Sequence, residues 1–332
     1  MLGRRGRMAV LVGALPLALL SFGTASARVG TGRVPSFGHV YVIIGENTEL
    51  GQINKSDAPY ILGTLKPQSA WLTNYFALTH FSEANYVGMT SGQYTACQQF
   101  DGSAASCHQP VDNLFAQLDH AGVSWQSWME SMPSPCYLTS TGSAKDQNHY
   151  GAKHNPAIFY DGIESSTGVW TSDPNLISSE CLANDIPAGS TGPNDMSAFN
   201  SALENGSTAR FNFVVPNECE DGHDNCKPQG NGVSQFDAFL SREVPLIQAN
   251  DPQSLIMVTF DEGTSNQGDG HGHQFSGGGN VAWFALGPQV IPGGYTSTYD
   301  HYSFLRTLED GFGISEHLGG AASAQSINGI WA

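Results

Sequence analysis

Short apolar runs rich in β-branched residues alternate along the chain with segments of helical periodicity. The apolar runs, which predict strands, are residues 39–44, 71–78, 123–128, 211–215, 255–260 and 281–286. The segments that predict helices are residues 60–67, 112–121, 233–247 and 302–312, and a further helix opens within residues 79–86 and runs to residues 91–92. Strands that alternate with helices favour an α/β fold with a mainly parallel central sheet flanked by helices. Residues 131–207 are rich in Gly, Pro, Ser and Asn, and we expect long loops there.

Polar residues follow three of the predicted strands. Glu46 follows the first strand, Asp221 and His223 follow the fourth, and Asp261 with Glu262 follows the fifth. The carboxyl ends of parallel strands meet at one edge of a sheet, where open α/β folds place their ligands. The pattern therefore predicts a crevice in which hard oxygen ligands and histidines converge.

Two of the polar positions have an ordinary structural explanation when each is taken alone. Glu46 and Asn47 offer the oxygen ligands that Ca²⁺ and Mg²⁺ prefer, although such a pair more often forms a turn. Ser82 begins a predicted helix, where an anion is stabilised but where serine is more often an N-cap. Asp261 and Glu262 differ, because two acids directly after a buried strand are hard to explain by packing.

The first 27 residues have the pattern of a secretory signal peptide. Three arginines precede an apolar run at residues 8–20, and Ala25-Ser26-Ala27 is a small-residue cleavage site. A membrane anchor is the alternative, but the apolar run is short for a span and contains Gly13 and Pro16. We therefore expect a secreted or periplasmic protein with one domain over residues 28–332.

The mature chain contains six cysteines, and an even number in an exported protein indicates disulfides. Metal binding by cysteine thiolates is the alternative, but the sequence has no C-x-x-C pair, in which two residues separate the cysteines. Proximity along the chain favours Cys97–Cys107 and Cys219–Cys226, which leaves Cys136–Cys181.

The chain is strongly acidic, with 30 Asp and Glu against 13 Lys and Arg and a formal charge of −17. Removal of the signal peptide deletes three arginines and no acids, which takes the charge to about −20. Such a surface repels nucleic acid backbones and anionic membranes at neutral pH. We therefore expect neither a nucleic acid partner nor stable membrane insertion.

Six blocks of sequence together resemble the bacterial phosphoesterase family that contains type C phospholipases and secreted acid phosphatases. The blocks are residues 39–47, 80–86, 153–156, 215–217 with 221–223, 258–262 and 300–309. Any one block is weak evidence for the family, but six blocks in the order in which the family has them are specific evidence. Within the family, the short exported chain is similar to SapM-type secreted acid phosphatases. Those enzymes are associated with phosphate monoesters, including phosphatidylinositol 3-phosphate.

The resemblance implies an alkaline-phosphatase-like fold and one or two bound divalent metal ions. It implies a phosphate ester as substrate, which for these relatives includes phospholipid head groups. The implied site residues are Ser82 as nucleophile, Glu46, Asn47 and Asp261 as metal ligands, and Asn85, Lys153, His154 and His223 near the phosphate. Glu262 and His301 match positions of a second acid and of a second metal. The sequence departs from the family at Thr48-Glu49-Leu50 and at Ala84, which bears on substrate preference.

A mechanism follows as a hypothesis. The metal lowers the pKa of the Ser82 hydroxyl, Ser82 attacks phosphorus and a phosphoserine intermediate forms. Asn85 and Lys153 hold the phosphoryl oxygens, and His223 or His154 protonates the leaving oxygen. The alternatives are a type C phospholipase that cleaves diesters, a non-catalytic secreted binding protein with the same fold, and a surface protein that merely binds Ca²⁺.

Overall fold

The computed structural model describes residues 1–3, 32–93, 97, 100–269 and 277–332. The predicted signal peptide lies outside the described residues, apart from its first three. Across the described residues no helix is both long and apolar enough to cross a bilayer.

The centre of the fold is one eight-stranded sheet in the order β4-β3-β5-β1-β6-β7-β2-β8. The strands are β1 Val40–Gly45, β2 Ala70–Phe76, β3 Trp125–Met129, β4 Asp185–Pro187, β5 Phe211–Val215, β6 Leu255–Phe260, β7 Asn280–Leu286 and β8 Gly293–Asp300. β7 runs antiparallel to both its neighbours, β6 and β2, and all other pairs are parallel. The mainly parallel α/β sheet predicted from the sequence is therefore confirmed.

Helices cover the sheet. The α-helices are α1 Ser82–Ser91, α2 Ala104–Cys107, α3 Leu114–His120, α4 Asp161–Glu164, α5 Ser179–Asn184, α6 Ser197–Asn205, α7 Gly232–Asn250 and α8 His301–Phe312. Short 3₁₀ helices span Leu50–Gln52, Lys66–Gln68, Ala152–His154, Pro156–Phe159 and Gly319–Ala322, and a π-helix spans Ile61–Leu65. The helix expected over residues 60–67 is thus a π-helix that continues into a 3₁₀ turn containing Pro67.

The three central strands explain how the site is assembled. β5, β1 and β6 are buried along their whole length, as unbroken apolar runs with both faces covered should be. The register pairs Val40 with both Phe211 and Leu255, and Gly45 with Phe260. β1 and β6 therefore end level with each other, and the residues that follow them emerge side by side at one edge.

The structure adds elements to the predicted secondary structure in two places. The sequence of β8 (GGYTSTYD) gives no apolar run, because this edge strand is mostly exposed and needs few apolar side chains. Residues 131–207 were expected to be loops, yet they contain β4 and three short α-helices. These elements are too short for periodicity to show, and tertiary packing stabilises them: α5 packs against β3 and β4, α6 against α7, and α4 against α5.

Three disulfides link the cysteines in the pairing that chain proximity favours: Cys97–Cys107, Cys136–Cys181 and Cys219–Cys226. Each sulfur pair joins Cα atoms 5.5–5.7 Å apart. Two of the disulfides close loops at the polar edge of the sheet, where they restrain residues of the candidate site.

Candidate active site

The ends of β1 and β6 are joined by backbone hydrogen bonds at the polar edge. Asp261 donates its backbone N–H to the Gly45 carbonyl oxygen (3.0 Å), and Glu46 donates to the Asp221 carbonyl oxygen (2.8 Å). Asn47 has a φ of 49°, a left-handed conformation that asparagine tolerates well. This turn points the Asn47 N–H at Asp261 Oδ1, 3.0 Å away. Three strand ends are thereby fixed around one polar pocket.

Ser82 is the first residue of α1 and points into the same pocket. Its hydroxyl donates to Glu46 Oε2 at 2.9 Å, and the side chain is almost fully buried. The N-cap position belongs to Phe81, which has a φ of 78°, and no side chain caps the helix. Ser82 therefore does not act as an N-cap, and its oxygen lies near the positive end of α1.

Burial makes the pocket electrostatically unusual. Glu46, Asp221 and Asp261 are inaccessible to solvent. Burial, followed by the charges of Asp261 and Asp221, raises the pKa of Glu46 well above its ordinary value. Burial also raises the pKa of Asp261 to about 6.

Glu46 Oε1 and Asp261 Oδ2 accept no hydrogen bond from the described residues. Buried carboxylate oxygens without partners are costly unless a cation satisfies them. These oxygens are hard ligands, as are the amide oxygen of Asn47 and the hydroxyl of Ser82. The residues therefore fit a divalent metal ion.

His154 closes one side of the pocket. Its Nε2 is 3.3 Å from Glu46 Oε1, its Nδ1 is 3.0 Å from Asp221 Oδ2, and its ring stacks on Tyr86. Burial, and then the positive charge of Lys153, lowers the pKa of His154 well below its ordinary value. Glu46, His154 and His223 each place one ligand atom within 4.8 Å of the others. The lowered pKa favours the neutral imidazole at His154, beside the carboxylates.

Lys153, which lies beside His223, brings positive charge to the mouth of the pocket. Lys153 Nζ lies 3.1 Å from Asp101 Oδ2 and 2.9 Å from His223 Nε2. Burial lowers the pKa of Lys153, but the charges of Asp101, Glu46 and Glu218 more than offset this, so its pKa is raised. A lysine that stays charged beside an imidazole is well suited to hold an anionic phosphoryl group.

Asn85 lies beneath Ser82, but its amide is occupied by the turn between β2 and α1. Its Oδ1 accepts from the backbone of Leu78 (3.1 Å) and Thr79 (3.3 Å). Its Nδ2 donates to the carbonyl oxygens of Thr79 (2.8 Å) and Phe81 (3.3 Å). The observed role of Asn85 is to hold this turn, and a contact with substrate stays a prediction.

Glu262 and His301 border the pocket with their side chains engaged elsewhere. Glu262 Oε2 is 2.6 Å from His80 Nδ1, and burial raises the pKa of Glu262 to about 7. His301 lies with Nδ1 2.8 Å from the Tyr75 hydroxyl and Nε2 2.6 Å from the Asp261 carbonyl oxygen. His301 thus positions the backbone of Asp261, and metal binding by Glu262 or His301 stays a prediction.

Comparison with known proteins agrees with this geometry. The model of the phosphoesterase family matches residues 39–315. The chain belongs to the phosphoesterase family. The resemblance found in the sequence is therefore confirmed, and with it the prediction of a hydrolase of phosphate esters.

Two similar phosphoesterases illustrate the range of sizes. The chain is 28% identical to a phosphatidylinositol-3-phosphatase of Mycobacterium tuberculosis, over 98% of this chain and 94% of that protein. It is 29% identical to a probable acid phosphatase of Kluyveromyces lactis, over 86% of this chain and 60% of that protein. The chain thus spans about 60% of the length of this yeast relative.

Solved structures confirm the fold of this phosphoesterase. A protein of the alkaline phosphatase superfamily from Vibrio parahaemolyticus matches with a TM-score of 0.52 at 11% identity, over 89% of this chain and 71% of that one. A sulfatase from Pseudoalteromonas matches with a TM-score of 0.51 at 10% identity, over 88% and 70%. The predicted alkaline-phosphatase-like fold is confirmed.

Three residues of the phosphoesterase site received no role from the sequence, although Asp221 was placed at the predicted crevice. Asp221 pairs with His154, Asp101 anchors Lys153, and His80 pairs with Glu262. Asp221 had a signal, since it follows a buried strand two residues before His223. Asp101 had none, because its loop reaches the site only through the fold.

Proposed function

We propose that this phosphoesterase is an exported, metal-dependent phosphomonoesterase that uses Ser82 as its nucleophile and works through a phosphoserine intermediate. The observation that carries the proposal is the hydrogen bond from the Ser82 hydroxyl to Glu46, inside a buried cluster of carboxylates. A serine that merely capped a helix would bond to its own backbone instead.

Glu46, Asn47 and Asp261 are the residues that would hold the metal ion, and His154 lies beside them. A divalent cation bound there supplies charge neutralisation for the phosphoryl group and lowers the pKa of an adjacent hydroxyl. The same proposal includes Glu262 and His301 as ligands of a second metal ion in a two-metal site.

The chain's own residues divide the remaining work. The Ser82 oxygen attacks phosphorus, which forms a phosphoserine and breaks the bond to the leaving oxygen. Lys153 neutralises phosphoryl oxygens that the acidic pocket would otherwise repel. His223, in its protonated form, is the proposed donor of a proton to the leaving oxygen from its place beside Lys153 at the mouth. Water then releases phosphate from Ser82.

The proposed substrates are phosphate monoesters, among them phosphoinositide head groups such as phosphatidylinositol 3-phosphate. The support is the relative from Mycobacterium tuberculosis, which aligns along nearly the whole of both chains. The proposed location is outside the cytoplasm, supported by the three disulfides and by the arginine-led apolar start of the sequence.

Replacement of the nucleophile tests the proposal most directly. Ser82→Ala should lower kcat for p-nitrophenyl phosphate by about a thousand-fold or more, because no other hydroxyl replaces the attacking oxygen. Ser91→Ala is the matched control, since Ser91 is a buried serine of the same helix whose hydroxyl donates to Val87. Thermal melts of both variants monitor the fold.

Turnover of Ser82→Ala within tenfold of the control would refute the nucleophile assignment. Metal dependence is tested separately, by chelation of the wild-type protein and addition of Mg²⁺, Ca²⁺, Zn²⁺ or Fe²⁺. Full activity after chelation and dialysis would refute the proposed metal dependence. Release of phosphate but not phosphocholine from a lipid panel would separate a monoesterase from a diesterase.

A further inference from the structure

A second group of side chains of the metal-ligating type lies beside the candidate active site, where the loop after β5 meets the loop between β3 and the 3₁₀ helix Ala152–His154. His149, Glu218 and Asp224 each place one ligand atom within 4.8 Å of the others. His149 Nδ1 is 3.4 Å from Glu218 Oε2 and 3.5 Å from Asp224 Oδ2. The three side chains are only 5–13% exposed, so this is not a solvated surface cluster.

The distances in this group are longer than those of the other histidine–carboxylate pairs among the described residues, which range from 2.6 Å to 3.3 Å. His39, His80 and His108 each lie 2.6–2.7 Å from a carboxylate oxygen, as directly hydrogen-bonded groups do. Ligands bound tetrahedrally at about 2.0–2.2 Å lie about 3.3–3.6 Å from one another. The separations around His149, at the long limit for a hydrogen bond, match the edges of a coordination polyhedron.

The backbone holds the three side chains in place. Glu218 donates its backbone N–H to the His149 carbonyl oxygen (2.9 Å), and Asp224 donates to the Glu218 carbonyl oxygen (2.7 Å). Lys145 donates its backbone N–H to Asp224 Oδ2 (2.7 Å), which orients that carboxylate. The Cys219–Cys226 disulfide closes the same loop. Such fixed outer contacts are typical of metal sites.

Gly151 supplies an independent sign that this carboxylate position is built into the fold. A Cβ atom at residue 151 would lie 2.4 Å from Glu218 Oε1 and 3.0 Å from its Cγ. A larger residue at position 151 would therefore require the Glu218 side chain to move from its observed position beside His149.

We propose that His149, Glu218 and Asp224 bind a divalent cation of the zinc class, separate from the ion proposed at Glu46 and Asp261. One imidazole and two carboxylates form a donor set that suits Zn²⁺, with water as the fourth ligand. Two carboxylates and a neutral imidazole also balance the charge of such an ion. The proposal does not depend on the proposed function.

The position of the group gives the ion a structural consequence. His223 Nδ1 lies 3.2 Å from both Glu218 Oε2 and Asp224 Oδ1, on the side of the active site. A cation held by these carboxylates would join the loop that carries His149 to the loop that carries His223. We therefore expect occupancy to stabilise both loops against unfolding and proteolysis.

Zinc stoichiometry of the full mature protein tests the site. Protein stripped with a chelator is saturated with Zn²⁺, freed of excess metal, and measured by mass spectrometry of the metal against protein. His149→Ala and Asp224→Asn should each bind one equivalent less than wild type. His108→Ala, which removes a directly hydrogen-bonded histidine, should bind as much zinc as wild type.

Asp261→Asn provides a second measurement on a variant that keeps the proposed new site. X-ray absorption at the zinc edge should show nitrogen and oxygen ligands at about 2.0–2.1 Å in that protein. If His149→Ala does not fold, the zinc ligands seen by X-ray absorption in Asp261→Asn still test whether the proposed second site binds zinc. Asp261→Asn protein that retains no zinc would overturn the site. So would folded His149→Ala and Asp224→Asn proteins with wild-type stoichiometry, and either result leaves Ser82-dependent hydrolysis by wild type untouched.

Discussion

Opposite charges face each other across the candidate active site. Glu46, Asp221 and Asp261 line its buried floor, whereas Lys153 and His223 lie at its mouth. A cation bound to the carboxylates of the floor, with a phosphoryl group between that cation and Lys153, would give both the carboxylates and the lysine a partner of opposite charge. The residues thus explain why a pocket so rich in carboxylates accepts an anionic substrate.

Lys153→Met should lower kcat/KM for p-nitrophenyl phosphate about a hundredfold, because a fixed positive charge near the phosphoryl oxygens is lost. Asp101→Asn removes the anchor of that lysine but keeps the amine, so a loss of about tenfold is expected. Lys145→Met is the control, since Lys145 is an exposed lysine. Equal kinetics for Lys153→Met and Lys145→Met would exclude the assigned role.

At the scale of elements, the turn between β2 and α1 determines where Ser82 lies. Phe81 has a left-handed backbone that a bulky residue rarely adopts. The Asn85 side-chain amide accepts two hydrogen bonds and donates two, and these four bonds hold the turn in that shape. Strain of this kind is often found beside functional residues. Asn85 is therefore a positioning residue for Ser82, the proposed nucleophile.

Asn85→Ala should destabilise the protein by about 2–4 kcal/mol, because two buried backbone N–H groups lose their acceptor. It should also lower kcat, since Ser82 is no longer held. Asn74→Ala, which removes one exposed hydrogen bond to Thr296, should change stability by less than about 1 kcal/mol. Chemical denaturation and steady-state kinetics measure both effects. A raised KM with unchanged stability would instead assign Asn85 to substrate contact alone.

The elements that the sequence predicts are those with a strong local signal. β1, β5 and β6 are unbroken apolar runs, so their existence and the polar residues at their ends could be foreseen. β8 could not, because an exposed edge strand needs no apolar pattern. The partnership of Asp101 with Lys153 was equally hidden, since 52 residues separate them and only the fold joins them.

At the scale of the whole molecule, buried carboxyl groups link stability to acidity. Burial raises the pKa to about 8 for Glu83 and to about 7 for Asp185, Glu243 and Glu309. Each group binds its proton more tightly in the folded state than in the unfolded chain, where it titrates near about pH 4. Their stabilising effect is full below that pH and is lost as pH rises to 7 or 8. His154 acts oppositely, because burial lowers its pKa.

Glu309 isolates this effect away from the active site. Its Oε1 accepts from the Leu318 backbone (2.8 Å), and its Oε2 has no partner among the described residues. Glu309→Gln keeps an acceptor but cannot ionise. The loss of unfolding free energy between pH 5 and pH 8, measured by denaturant titration, should therefore shrink by on the order of 3 kcal/mol relative to wild type. Glu316→Gln, at an exposed position, should follow the wild-type curve. A Glu309→Gln curve parallel to wild type would mean that this carboxyl stays neutral, or stays ionised, throughout the range.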